Sequence, residues 1–498
     1  MGTPVDHQGA ASGEGAARLT RPPIEPLETP FRLQLHGQGD LDRLKDATYE
    51  ILATVGVKFP SSTALDVLAA HDCEVDAATQ IVKFPRELVE KAMALAPRHF
   101  TLGARDPSCE LPLDGRHTYC TTDGCGVEVI DFETRERRPS TKADLAAITR
   151  LVDYLPGLSF WWPTVSAADH GQTAQLHELE AGFTNTVKHL QGMVMGARQA
   201  RYAVEMATVI AGSAAELRRR PPLSDLIGTI SPLLQDTDGI EAALVFAEAG
   251  VPVCFVTMPT LGTTAPATEA GAYAQGSAEL VSATVLLQLA HPGAPVLHSI
   301  MATTADPRSG AVVSFPLDGR GRALASELAH AWGVPSEAAS CGTDSALPGT
   351  WQAGMEEASD LPLAALEGGD LMPSIGLVNV YTLFYPEHLI LGHDILQRAR
   401  YAVLDTEIDD ETLALETVKA VGPGGHFLGQ AHTRKHMRDA LVRGVTHEPD
   451  SAGHYRDPIE VAREKADWIY RTYEPEPLEP AKAVELARIV AAADAELR

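Results

Sequence analysis

Cysteine is scarce in this chain, with six residues in 498 (Cys73, Cys109, Cys120, Cys125, Cys254 and Cys341) and no framework spacing among them. A disulfide scaffold is thereby excluded, and the pattern fits a reducing compartment. Cys120 and Cys125 are the closest pair, but without a second Cys/His pair they read as ordinary thiols. Long apolar runs are missing too. No stretch reaches the roughly 18 apolar residues of a membrane span, and the first 30 residues, rich in Gly, Ala and Pro, hold no apolar leader core. They predict a disordered tail on a cytoplasmic protein. Positive charge is short, with 40 Lys and Arg against 67 Asp and Glu and a formal net charge of −27. That balance argues against naked nucleic acid or an anionic membrane surface as partner.

Several motifs are equally absent. There is no GxSxG elbow and no Walker loop, which disfavours hydrolase and phosphoryl-transfer chemistry. Asp123-Gly124-Cys125-Gly126 lacks the third glycine of a dinucleotide-binding turn. His432 and His436 stand four apart, but the acidic residue of the metalloprotease motif is missing. They read as surface histidines, and no protein-bound metal is expected.

What is present is a regular alternation. Residues 251–302 read as a strand (Val253 to Met258), a loop, a helix (Glu269 to Ala290, behind Thr268) and a second strand (Val296 to Met301), a complete βαβ unit. The first half of that helix is small (Gly271, Ala272, Ala274, Gly276, Ser277, Ala278), which permits close backbone approach, and Leu280, Ala283 and Leu287 predict an apolar stripe in the second. The same period recurs. Strands are expected at 118–124, 158–166, 190–196, 226–232, 252–258, 295–301, 336–342 and 371–378. Helices are expected at 141–154, 172–187, 198–212, 237–249, 268–290, 321–332, 351–366 and 386–404. Eight such units over 118–404 predict a (β/α)8 TIM barrel in preference to a doubly wound sheet. The rest divides into a tail at 1–30, a mostly helical extension at 31–117 and a helical appendix at 405–498 with a glycine-rich loop at 422–429.

In a barrel, reactive groups come from the C-terminal ends of the strands. Those positions offer Asp123 and Cys125; Trp161, Trp162, Ser166, Asp169 and His170; Ser231; Thr263 and Thr264; Asp318 and Arg320; Thr343, Asp344 and Trp351; and Asn379, Tyr381, Phe384, Tyr385 and His388. Aromatic residues are only 6% of the chain, yet six stand at 160–162 and 381–385. Clustered rings near a barrel mouth suit a cationic group, whose charge is drawn to ring faces. The same rings serve equally to fill the barrel and pack a lid.

A set of motifs carries a resemblance. Ser231-Pro232-Leu233, Gly262-Thr263-Thr264-Ala265-Pro266-Ala267-Thr268-Glu269-Ala270-Gly271 with Ala278-Glu279, Pro292-Gly293-Ala294-Pro295, Thr343-Asp344-Ser345 and Gln352-Ala353-Gly354-Met355-Glu356 occur in that order. Gly422-Pro423-Gly424-Gly425-His426-Phe427-Leu428-Gly429 followed by His432-Thr433 completes them. The chain resembles the trimethylamine methyltransferase (MttB) family over nearly its whole length after residue 30.

That resemblance implies a (β/α)8 barrel that moves a methyl group from a methylated amine to the cobalt of a cobalamin held by a separate small corrinoid protein. The founding members contain pyrrolysine and act on trimethylamine; this chain has the standard residue types and resembles the branch without pyrrolysine, which demethylates betaines. A quaternary nitrogen leaves as a neutral amine without prior activation, so the protein has to hold the cation and aim one methyl at Co(I). Trp161, Trp162, Tyr381 and Tyr385 are candidates for the cation, Asp344, Asp169 and Glu279 for balancing its charge, and Arg320 or His388 for a betaine carboxylate. Ala346-Leu347-Pro348-Gly349-Thr350-Trp351 departs from the family's charged stretch at this place, which leaves the substrate open and adds Trp351 as an aromatic candidate. Free cobalamin or a folate as acceptor, and a non-catalytic binder of methylated amines, remain the alternatives. Related barrels self-associate, so a homo-oligomer is expected.

Overall fold

The computed structural model describes residues 19–29, 32–313, 318–437 and 444–497. Its architecture is mixed α/β, and the alternation read from the sequence is realised almost element by element. Strands run over His117–Thr122, Phe160–Trp161, His189–Gly192, Leu223–Ile230, Val253–Thr257, Val296–Ile300 and Leu371–Ile375. Helices between and after them occupy Lys142–Tyr154, Ala174–Asn185, Ala197–Ala211, Thr237–Ala249, Glu269–Ala290, Asp318–Trp332, Trp351–Glu367 and Pro386–Val403. Their ends obey local chemistry. Thr141 and Asp144 form a reciprocal capping box, while Asp236 accepts from the Gly239 N–H at 2.8 Å and Gly250 ends the same helix at φ 78°.

The strands pair in parallel. Phe160 lies opposite His189, Leu190 opposite Leu223, Asp225 opposite Val253, and Val253 opposite Val296. Leu371 pairs with Tyr119 in a separate ladder. Single parallel bridges, Cys120 to Leu158, His298 to Ser336 and Glu337 to Leu371, lie between the ladders.

Three expected strands come out short, the one at 190–196 ending at Gly192. Only Phe160–Trp161 forms within 158–166, because Pro163 brings no N–H to a ladder. Within 336–342 only Ser336 and Glu337 make bridges; Ala338 still donates to the Leu371 carbonyl, while Ser340 turns its hydroxyl to Asp123 instead.

The helix Glu269–Ala290 departs from its predicted stripe. Every residue from Ala272 to Gln288 is buried, because the helix lies between strands Val253–Thr257 and Val296–Ile300 on one side and helices Gln38–Glu50 and Arg86–Met93 on the other. Its small residues permit this. A Cβ on Gly276 would stand 3.0 Å from the Thr257 methyl.

On one face of the strands, Tyr119, Phe160, Trp162, Leu226, Cys254, Val256, Leu297 and Leu371 form a cluster of their own. Leu102, Leu111 and Leu113 join it from the hairpin Phe100–Leu102/Leu111–Leu113. The Gly103 N–H bonds to the Pro221 carbonyl and that of Asp106 to Val187, so this hairpin sits at the N-terminal ends of the strands. The opposite ends are left for a site.

The N-terminal extension carries more β structure than its helical pattern predicts. Val57–Lys58, Glu74–Asp76 and Ile81–Lys83 pair with one another, and Lys58 meets Leu234. Within the expected tail, Leu27–Glu28 pairs antiparallel with Thr118 and His117, since Leu27 finds a buried place; residues 1–18 lie outside the described residues. In the appendix, helices Pro458–Thr472 and Pro480–Leu497 pack on the outer helices, whereas no side chain from Leu404 to Met437 is buried. Among the described residues no helix is long and apolar enough to cross a membrane, and all six cysteines are free.

Candidate active site

Two buried carboxylates stand at the C-terminal ends of the strands, and their surroundings differ. Asp123 follows the first strand directly and is 1% exposed. Its Oδ1 accepts a hydrogen bond from the Ser340 hydroxyl, and its Oδ2 accepts none. Burial pushes its carboxyl up to about 7; the Ser340 bond opposes that rise and the charge of Glu357 adds to it.

Glycine is required beside it. A Cβ on Gly342 would fall 2.4 Å from Asp123 Oδ2 and 2.6 Å from Cε1 of Tyr381, so carboxylate and ring bracket the same point. A Cβ on Gly124 would lie 3.1 Å from Cδ2 of Trp162. A larger residue at 342 would push carboxylate and ring apart, and one at 124 would meet the Pro163 carbonyl at 2.8 Å before the Trp162 ring.

The loop carrying Tyr381 is strained. Asn379, Val380 and Tyr381 adopt φ of 57°, 54° and 61° in succession, a conformation costing on the order of 1–3 kcal/mol for each non-glycine residue. Its surroundings hold it there: the Asn379 N–H donates to the Ser345 carbonyl at 2.6 Å and its Nδ2 to Thr382 Oγ1 at 2.7 Å.

A buried ion pair completes this cluster. His388 Nε2 lies 3.0 Å from Glu357 Oε1, each side chain 1% exposed. Burial lowers the pKa of His388, but Glu357, Asp123 and Glu387 together more than reverse that and hold it above the usual histidine value. The cluster thus contains two carboxylates and one imidazole that favours its charged form.

Glu279, the second carboxylate, is saturated. It accepts from Thr229 Oγ1 at 2.6 Å, Thr257 Oγ1 at 2.6 Å, Ser231 Oγ at 2.9 Å, the Leu233 N–H at 2.9 Å and Gln275 Nε2 at 3.2 Å. It ties the ends of strands Leu223–Ile230 and Val253–Thr257 to the helix Glu269–Ala290.

The remaining residues singled out by sequence do not converge. Trp161 faces away from the strand-face cluster that holds Trp162, giving its indole N–H to Thr149 at 2.9 Å in the helix Lys142–Tyr154. Trp162, by contrast, is the ring beside Gly124; it is 5% exposed with its Nε1 unbonded. Asp169 accepts from the Lys142 N–H at 2.8 Å, capping that same helix. Arg320 pairs on the surface with Glu269 at 2.6 Å. Asp344 is half-buried, its N–H donating to Glu356 at 3.0 Å. Tyr385 packs with Ile130, Val378 and Leu383. Trp351 is 86% exposed.

Ser340 and Glu357 were not among the residues drawn from the sequence, although a signal for Glu357 existed. Ala353, Glu356, Glu357, Asp360, Leu361 and Ala364 share the buried face of the helix Trp351–Glu367, so carboxylates stand where the apolar stripe should be.

Around the strand ends, Val127, Ile230, Met258, Leu347, Trp351 and Val380 are large apolar side chains left exposed. A rim of this kind suits an apolar surface laid against it. Chemically the cluster can neutralise and orient a cation.

Known proteins resemble this chain over nearly its whole length. Residues 8–498 match the family described as Trimethylamine methyltransferase (MTTB). The chain is 33% identical over 466 residues to trimethylamine methyltransferase MttB of Desulfitobacterium hafniense, covering 92% of this chain and 94% of that one. It is 30% identical over 478 residues to MttB of Methanosarcina barkeri, at 94% and 96% coverage. The glycine betaine methyltransferase of Desulfitobacterium hafniense is 27% identical over 462 residues, at 91% and 96% coverage. The crystal structure of the Methanosarcina barkeri monomethylamine methyltransferase MtmB aligns over 87% of this chain and 92% of its own with 11% identity and a TM-score of 0.42. With the family matched over nearly the full length, the chain belongs to the trimethylamine methyltransferase (MTTB) family of methyl-transferring enzymes.

Proposed function

We propose that this protein takes a methyl group from a betaine-like quaternary ammonium compound and passes it to Co(I) of a corrinoid carried by a small partner protein. The observation that carries the reading is Asp123 Oδ2, buried and without a hydrogen bond, bracketed with the Tyr381 ring around Gly342 and close to Trp162 through Gly124. A quaternary ammonium ion offers no N–H, so a counter-charge together with ring faces suits it better than a set of hydrogen-bond acceptors. Asp123 supplies the charge, Tyr381 and Trp162 the faces. Burial excludes water and strengthens the attraction.

In the transfer the C–N bond breaks with its electron pair on nitrogen, and the amine departs neutral. The acceptor brings the pair that forms the new bond to carbon. No proton has to move in this step. The exposed apolar rim at Ile230, Met258, Val380 and Trp351 fits the face of a planar macrocycle presented by another protein.

The same reading takes the parallel pairings as a (β/α)8 barrel. The ladders and single bridges link the seven strands and Ser336–Glu337 in chain order, with Leu371 returning to Tyr119. Residues 118–404 then form the barrel, 31–117 its N-terminal extension and 405–498 its appendix.

The test is anaerobic mixing of the purified protein with Co(I) cobalamin, with and without a corrinoid protein, and a panel of quaternary and tertiary amines. Conversion of the Co(I) absorbance to that of methyl-Co(III) with a quaternary amine is expected. Conversion with tertiary amines alone would refute the substrate class. Tight amine binding without conversion under any condition would mark a binding protein.

A further inference from the structure

The segment from Leu404 to Met437 has no buried side chain, yet it folds into three short helices, Asp410–Leu413, Leu415–Val421 and Ala431–His436. A stretch this short without a core needs a clip of some kind. Three side chains converge where one would act. Glu411 comes from the first of these helices, and His432 and His436 share a face of the last. One ligand atom from each lies within 4.8 Å of the others. His436 Nε2 stands 3.2 Å from Glu411 Oε1, and His432 Nε2 stands 3.1 Å from the Glu411 carbonyl oxygen. The two imidazoles have centroids 4.3 Å apart.

We propose that Glu411, His432 and His436 form a binding site for a divalent transition metal, zinc in the first instance, that fastens this segment. Two imidazoles and one carboxylate are a donor set that zinc takes up readily, with bond lengths near 2.0–2.2 Å. Tetrahedral ligation at those lengths spaces the ligand atoms by about 3.3 Å, so only small side-chain movements are required. The carboxylate that the sequence pattern around His432 and His436 lacked arrives from a helix more than 20 residues earlier. A metal there joins residue 411 to residues 432 and 436, spanning the glycine-rich loop 422–429 that has no packing of its own. Asp410, Thr417 and Ala431 line an adjoining cavity, which leaves room for water as a fourth ligand.

Lys435 makes the proposal sharper. Its Nζ holds Glu411 Oε1 at 2.6 Å, so it competes with a metal for the same carboxylate. Removing Lys435 should therefore tighten metal binding, an effect that a purely structural role for Glu411 would not produce. The second cluster of possible ligands, His170, His177 and Asp494, is less suited, since Lys142 Nζ lies 2.8 Å from His177 Nδ1 and places a positive charge beside it.

The experiment uses the full chain without a histidine tag, stripped with a chelator and titrated with Co(II), then with Zn(II) in competition. The expected result is one equivalent of Co(II) with the visible absorption of a four- or five-coordinate site, displaced by Zn(II). Affinity should fall by at least about tenfold in H436A and in E411Q, and rise in K435Q. Bound zinc should slow proteolysis within 404–437. No metal bound beyond that of the H432A/H436A double variant, or binding that is lost in H170A and unchanged in H436A, would overturn the proposal, and so would weaker binding in K435Q.

Discussion

Asp123 and Glu279 are both acids buried at the C-terminal ends of parallel strands, and they are built in opposite ways. Glu279 receives five hydrogen bonds from four side chains and a backbone N–H, so both oxygens are spent on the protein itself. Asp123 receives one, from Ser340, and keeps an oxygen unbonded beside an aromatic ring. The first arrangement fixes a backbone. The second leaves one carboxylate oxygen without a donor, and burial drives the pKa to about 7 against the pull of Ser340 and His388. Asp123 follows a strand and Glu279 lies within the helix Glu269–Ala290, and the difference between them lies in how many donors the surrounding strands, loops and helix turn toward each.

The contrast breaks most visibly at Glu279. Replacing it by alanine strands several buried donors at once, and E279A should lose about 3–5 kcal/mol of stability. A variant that denatures at the wild-type midpoint would erase the distinction between the two acids.

The pH dependence of cation binding sharpens the other side. Asp123 is protonated in the folded protein below about 7, and only its ionised form attracts a cation. Proton and cation compete, so affinity for a quaternary amine should rise about tenfold per pH unit below pH 7 and level off above it. Calorimetric titration between pH 5 and pH 8 reads this directly, and a flat profile would remove Asp123 from the account.

Smaller effects separate the rings. Tyr381→Ala should weaken quaternary amine binding by roughly fivefold to thirtyfold, the worth of about 1–2 kcal/mol for a ring facing a partly desolvated cation. Trp161→Phe should leave amine affinity unchanged and cost about 1 kcal/mol of stability through the lost bond to Thr149. Equal effects of both substitutions on binding would mean that the strand-end rings act together.

Much of the fold was legible because its signals are local. Apolar strands bounded by proline, caps such as Asp236 and stops such as Gly250 depend on neighbours in sequence, and the helix Thr237–Ala249 matches its expected bounds residue for residue. Length of pairing was less legible. Within 336–342, Ser340 gives its hydroxyl to Asp123, which lies far away in the chain. Orientation was least legible of all. Trp161 and Trp162 are adjacent, so one faces the helices and the other the opposite face of the strands, and nothing in the sequence says which is which. The acidic face of Trp351–Glu367 was open to reading, since carboxylates at helical spacing among Ala353, Leu361 and Ala364 mark a buried polar cluster. Its partner His388 is visible only once two helices are packed together.

The most direct test of the central claim compares a quaternary amine with its neutral isostere, in which carbon replaces nitrogen, for binding to the wild-type protein and to D123N at pH 8. Asparagine keeps the shape and the Ser340 contact but not the charge. The account predicts that D123N loses affinity for the cation by about 100-fold while the neutral isostere binds both proteins alike, in line with the loss of one buried counter-charge. Equal binding of the cation to D123N and wild type would contradict it and place the cation elsewhere in the fold.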